Sequence, residues 1–121
     1  MKFKRTVFAL LAALLVVATT FIQASPTQVV PRRIEVTAKR FDFSPSEITL
    51  KKGEPVIIVL TSADVGHGIR FKELGIDSKV SKGQTVEIPF TPDKTGTFVS
   101  PCTVFCGSRH GTMKLTLNVV D

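Results

Sequence analysis

The sequence predicts an all-β domain, a sandwich of about 7–8 short antiparallel strands. Three observations carry this expectation. Beyond residue 33 no stretch sustains the apolar period of an amphipathic helix. Several short runs alternate apolar and polar side chains, the pattern of a strand with one buried face. Turn signals built from Gly, Pro and small polar residues separate those runs at regular spacing.

The first run, residues 34–40, sets Ile34, Val36 and Ala38 on one side and Glu35, Thr37 and Lys39 on the other. Phe41 and Phe43 follow, then the turn signal Ser44-Pro45. Residues 47–51 point Ile48 and Leu50 inward, and Lys52-Gly53 turns the chain. The unbroken apolar run Val56-Ile57-Ile58-Val59-Leu60 suits a strand buried on both faces. Residues 64–68 read as a loop with a glycine on each side of His67. Residues 69–71 and 76–80 are short strands, and Lys82-Gly83 turns again. Residues 85–91 alternate with Val86, Ile88 and Phe90 inward, and residues 97–100 form a brief strand. Residues 101–111 are a loop. Residues 112–120 close the domain as a strand with Met113, Leu115, Leu117 and Val119 in phase.

The chain has 121 residues, enough for one domain. Lys2, Lys4 and Arg5 precede an apolar run over residues 7–22, and no charge follows until Arg32. A basic start, an apolar stretch and the small residues Ala24 and Ser25 read as an export signal peptide over residues 1–24. The run also borders the ~20 residues that a membrane helix needs, so a retained single membrane anchor is the alternative. Either way the remainder, a linker over residues 25–33 and a domain over residues 34–121, is expected in the periplasm or otherwise outside the cytoplasm. The formal charge of +6 overstates the basicity of that remainder. Without the three N-terminal cations, 13 of the 16 basic residues stand against 10 acidic ones. They are spread along the chain, and there is no Trp or Tyr, so no basic patch for nucleic acid is expected.

The chemistry concentrates in one segment. Residues 101–113 read Pro-Cys-Thr-Val-Phe-Cys-Gly-Ser-Arg-His-Gly-Thr-Met, or Cys102-x3-Cys106-x3-His110-x2-Met113. His67 stands about 35 residues upstream. Together these are both cysteines, both histidines and the one methionine other than Met1. Two cysteines in an exported chain ordinarily form a disulfide, but that pairing leaves the coincidence of the other donors unexplained. Thiolate and thioether are soft donors suited to Cu(I), and imidazole suits copper in both oxidation states. Gly107 and Gly111 let the backbone bend around an ion, and Pro101 stiffens the start of the loop.

Three metal readings are open on these residues. A mononuclear copper site would use His67, Cys106, His110 and Met113 and leave Cys102 idle. A zinc site of two cysteines and two histidines would leave Met113 unused. Two copper ions sharing both thiolates, with one imidazole each, would use every residue. Met113 would then be one weak axial donor, and a backbone carbonyl between the cysteines the other.

The motif Cys102-x3-Cys106-Gly107-x2-His110-x2-Met113, with Asp64-Val65-Gly66-His67-Gly68 upstream, resembles the CuA domain of cytochrome c oxidase subunit II. The same domain type occurs in nitrous oxide reductase. The stretch Phe43-x-Pro45-x2-Ile48-x-Leu50-Lys51-Lys52-Gly53 resembles the opening of a cupredoxin. The resemblance runs from about Ile34 to Val120. It implies a cupredoxin-like Greek-key sandwich holding a two-copper, CuA-type centre. It also implies imidazole ligation by His67 and His110, bridging by Cys102 and Cys106, axial ligation by Met113, and the Val104 carbonyl at the other copper.

The implied role is electron transfer: acceptance from a redox protein such as a cytochrome c, and delivery to a haem–copper oxidase subunit. The domain would not be catalytic alone. The chain departs from the oxidase pattern in having Val104 where an acidic side chain often stands, in lacking Trp and Tyr, and in having at most one membrane helix. Its positive charge suits a basic cytochrome poorly. A periplasmic copper chaperone or donor, and a mononuclear copper cupredoxin, are the alternative functions. With both cysteines and both histidines committed to metal, no separate nucleophile–base pair is left for catalysis.

Overall fold

A computed structural model describes residues 20–121. Residues 1–19 of the expected export signal or anchor over residues 1–24 lie outside that range. Among the described residues no helix is long and apolar enough to cross a membrane.

Nine strands form among the described residues. They are β1 (Arg32–Lys39), β2 (Asp42–Ser44), β3 (Glu47–Lys51), β4 (Val56–Ser62), β5 (His67–Phe71), β6 (Ile76–Val80), β7 (Thr85–Phe90), β8 (Gly96–Pro101) and β9 (Lys114–Val120). One sheet has the order β2-β1-β4-β7, a second β3-β9-β8, and β5 pairs with β6 as a separate hairpin. The apolar run of β4 lies between β1 and β7, with Ile58 opposite Ile34 on one side and Ile88 on the other. Its β-branched side chains fit a pleated surface packed on both faces, and Ile58, Val59 and Leu60 are all buried.

Two expectations are corrected. The strands number nine rather than 7–8, because Asp42–Ser44 pairs with the end of β1. Three residues with a single buried side chain, Phe43, are too short to show an alternating pattern. The sandwich is also mixed rather than antiparallel: β1 runs parallel to β4, and β3 parallel to β9. Alternation fixes which face of a strand is buried. It is the same whichever way the neighbouring strand runs, so the period could not report direction.

The inner faces of both sheets supply one core. Val36 and Ala38 of β1, Ile58 and Leu60 of β4, Leu50 of β3, and Leu115 and Leu117 of β9 all belong to it. Burying a Leu or Ile side chain is worth about 1.5–3 kcal/mol each. Cys102, Cys106 and Met113 belong to the same cluster. The soft donors therefore sit at one end of the main core and are held by its packing.

Candidate metal centre

The expected loop over residues 64–68 ends earlier in the structure. His67 opens β5, pairs with Val80 of β6 and is fully buried. Glycine flanks had suggested a turn, but Gly68 serves close approach instead. A Cβ there would lie 2.4 Å from Thr103 Oγ1 and 3.1 Å from the Ser78 carbonyl. The Thr103 N–H donates to the Gly68 carbonyl at 3.0 Å. The Arg70 N–H donates to Ser100 Oγ at 2.7 Å. These two bonds hold the histidine strand against the end of β8 and the loop that follows.

That loop leaves β8 at Pro101 and returns to β9 at Lys114, which pair with each other. The Cys102 N–H donates to the Met113 carbonyl at 2.9 Å and closes its base. Within it the His110 N–H donates to the Gly107 carbonyl at 3.1 Å, and His110–Thr112 form a 3₁₀ turn. Gly107 takes φ +139°, which disfavours a side chain, whereas Gly111 has open space around it and no left-handed φ. Only the first of the two loop glycines is conformationally required.

All six positions singled out in the sequence converge. Cys102 Sγ lies 3.6 Å from His67 Nδ1 and 3.3 Å from the Val104 carbonyl oxygen. Cys106 Sγ lies 3.6 Å from His110 Nδ1 and 3.9 Å from Met113 Sδ. Donor atoms of His67, Cys102 and Cys106 all fall within 4.8 Å of one another. The cysteines are free and buried, so the disulfide alternative is not adopted. The two imidazoles face different sulfurs. His67 and Met113 are fully buried, while His110 is half-buried beside Phe105, which is 79% exposed.

Two further residues belong to this site and were missed as such in the sequence. The Asp64 carboxylate accepts from His67 Nε2 at 2.7 Å, which turns the Nδ1 lone pair toward Cys102. A carboxylate three residues before a candidate ligand was the available signal. Arg40 is the second: its Nε donates to the Cys106 carbonyl at 2.7 Å, and its backbone N–H donates to Asp64 at 2.8 Å. Nothing in the sequence links Arg40 to a cysteine 66 positions away. Next to it, the Arg109 guanidinium lies 4.8 Å from the Phe41 ring centre, a cation–π contact.

Burial alone would push the Asp64 carboxyl up. Hydrogen bonds from the Arg40 N–H, the His67 ring and the Val65 N–H outweigh it and hold the group at about 2. The Cys106 thiol goes the other way. Burial pushes it up first, the Cys102 sulfur adds to the shift, and the Arg40 charge opposes it. A buried Cys106 thiol held protonated in this way, with a second sulfur beside it, fits a cationic guest, because a metal ion offsets the charge its ionisation creates. The donor set, soft sulfur with imidazole, fits copper.

The raised thiol carries a pH prediction. The folded, metal-free protein holds the Cys106 proton more tightly than the unfolded chain, whose thiol titrates near the ordinary 9.0. Stability therefore falls as pH rises through that value. Thermal melts of the reduced, metal-free protein from pH 7 to 10 should show this fall. Melts of copper-loaded protein, in which the thiols are already ionised, should not show that component.

Residues 7–114 match the cupredoxin-like domain family. The chain belongs to that family. Nitrous-oxide reductase of Cupriavidus necator is 31% identical to this cupredoxin over 90 residues. That stretch is 71% of the cupredoxin chain but only 14% of the reductase, so the chain spans a small part of that relative. Cytochrome c oxidase subunit 2 of Thermus thermophilus is 28% identical over 104 residues, 86% of this chain and 75% of the subunit. The fold is shared with the periplasmic domain of subunit II of cytochrome oxidase of Bradyrhizobium japonicum. The TM-score is 0.67 at 20% identity, covering 78% of this chain and 88% of that one.

Proposed function

We propose that this cupredoxin carries single electrons through a two-copper, CuA-type centre outside the cytoplasm. His67, Cys102, Cys106, His110 and Met113 would hold the copper, with the Val104 carbonyl as a further donor. One observation carries the reading: the two imidazoles face different sulfurs, His67 at Cys102 and His110 at Cys106. A mononuclear site gives Cys102 no role, yet the residue is 2% exposed and its sulfur has its own histidine. Bound copper would supply a one-electron couple.

The protein's own part is to hold the donors still and dry. Cys102, Cys106 and Met113 are fixed in the core of the sandwich, and Asp64 fixes the His67 ring. Rigid donors keep reorganisation small when charge changes, which favours fast electron exchange. A copper chaperone needs exposed, labile donors, and buried ones favour the carrier instead. His110 and the exposed Phe105, with ring centres 5.7 Å apart, form the edge nearest solvent. A donor such as a cytochrome c would meet the domain there. The similarity to oxidase subunit 2 supports a haem–copper oxidase subunit as acceptor.

Copper content per chain, measured with the EPR spectrum, tests the proposal. Two coppers and one unpaired electron shared over two copper nuclei are expected. One copper with a single-nucleus spectrum, or tight Cu(I) binding with no mixed-valence signal, would overturn it. Met113→Leu should keep both coppers and change only the spectrum and potential, because a thioether is a weak donor. Loss of copper binding in that variant would show that Met113 holds the site rather than tunes it.

A further inference from the structure

Arg40 sits outside both donor-bearing segments, in the turn between β1 and β2, yet it reaches each of them. Its side chain donates from Nε to the Cys106 carbonyl at 2.7 Å, in a part-buried bond. Its backbone N–H donates to Asp64 Oδ2 at 2.8 Å, and Asp64 Oδ1 accepts from the His67 ring at 2.7 Å. An unbroken chain of contacts thus runs from the ring of one candidate ligand, through Asp64 and Arg40, to the backbone of another. Gly107 allows this approach. Its missing side chain leaves room for the Phe41 ring, and Arg40 Nε lies 3.9 Å from where a Cβ would stand.

We propose that Arg40 is a positioning residue that clasps the donor loop, residues 102–113, to the His67 strand and sets a fixed positive charge beside Cys106. Two separable consequences follow. The clasp restrains the loop whether or not metal is bound. The charge disfavours the more positive, oxidised state of a copper centre and so raises its reduction potential. The second consequence rests on the two-copper reading; the first does not.

The test uses the full chain with Arg40→Met, which removes clasp and charge, and Arg40→Lys, which keeps the charge but loses the planar Nε donor. The first measurement is amide hydrogen exchange in the reduced, metal-free protein. The reporters are the N–H groups of His110, Thr112 and Met113, each bonded within the loop. Both variants should exchange there about tenfold faster or more, with the core amides of β4 and β9 unchanged. The second measurement is the potential of copper-loaded protein. Arg40→Met should lower it by about tenfold in the reduction equilibrium, 59 mV for one electron, while Arg40→Lys stays near the parent.

Unchanged loop exchange in Arg40→Met would overturn the clasp. So would equal acceleration in loop and core, which would mark a general loss of stability. An unchanged potential in Arg40→Met would overturn the charge effect. If the parent protein binds no copper pair, the functional reading fails, and the exchange measurement still decides the clasp.

Discussion

Cys102→Ser and Cys106→Ser should each abolish the two-copper EPR signal. Each sulfur has a different histidine beside it at 3.6 Å, and both lie in one buried cluster. A serine oxygen keeps the side chain's shape but is smaller than the sulfur, and it is a hard, very weakly acidic donor that does not suit Cu(I). On the two-copper reading proposed above, two metals need both sulfurs, so the loss of either one removes the pair. Cys102→Ser should leave a single-copper site of Cys106, His110 and Met113, whose contacts lie within the retained part. Cys106→Ser should lose more, because that sulfur touches both His110 and Met113. A buried hydroxyl without a full set of partners costs about 1–3 kcal/mol, so both variants should still fold. Circular dichroism checks the fold, and EPR with copper counting checks the site. A two-copper signal surviving in either variant would show that the sulfur is not shared.

Gly107→Ala should be the most damaging single methyl in the donor loop. The residue sits at φ +139°, where a non-glycine residue is strained by about 1–3 kcal/mol. The added Cβ would also stand 2.9 Å from two carbons of the Phe41 ring. That ring carries the Arg109 contact, so it cannot give way without loosening the loop's other flank. The expected outcome is a lower melting temperature for the metal-free protein and weaker copper retention against a chelator. Gly111→Ala is the control: a Cβ there meets nothing within 4 Å, so little should change. Equal behaviour of the two variants would remove the role given to Gly107.

The strands with clean alternation were legible from sequence. The burial pattern of β3 and β9 follows the expected parity, down to Met113 continuing the inward row of Leu115, Leu117 and Val119. What escaped was everything that depends on a neighbour. The parallel pairing of β1 with β4 leaves no trace in either strand's own pattern. His67 looked like a loop residue because glycines on both sides usually mark a turn, whereas Gly68 is small so that Thr103 can lie against it. The candidate site divides in the same way. Its donors are chemically rare residues that stand out in a list, and the structure gathers all of them. Asp64 left a faint trace in its spacing from His67, but Arg40 is an ordinary surface type, and only the fold shows that it bonds a cysteine carbonyl.

The donor loop begins and ends on adjacent antiparallel strands, with Pro101 opposite Lys114 and its neck tied by the hydrogen bond from the Cys102 N–H to the Met113 carbonyl. Nearly all the soft chemistry is therefore a single excursion from a scaffold whose sheets are complete without it. The β8–β9 register is set outside that excursion, so a change in its length should leave the pairing in place as long as the core positions of Cys102, Cys106 and Met113 stay filled. A lineage of such domains can thus change the number and kind of its guest ions by editing about a dozen residues while the scaffold stays the same.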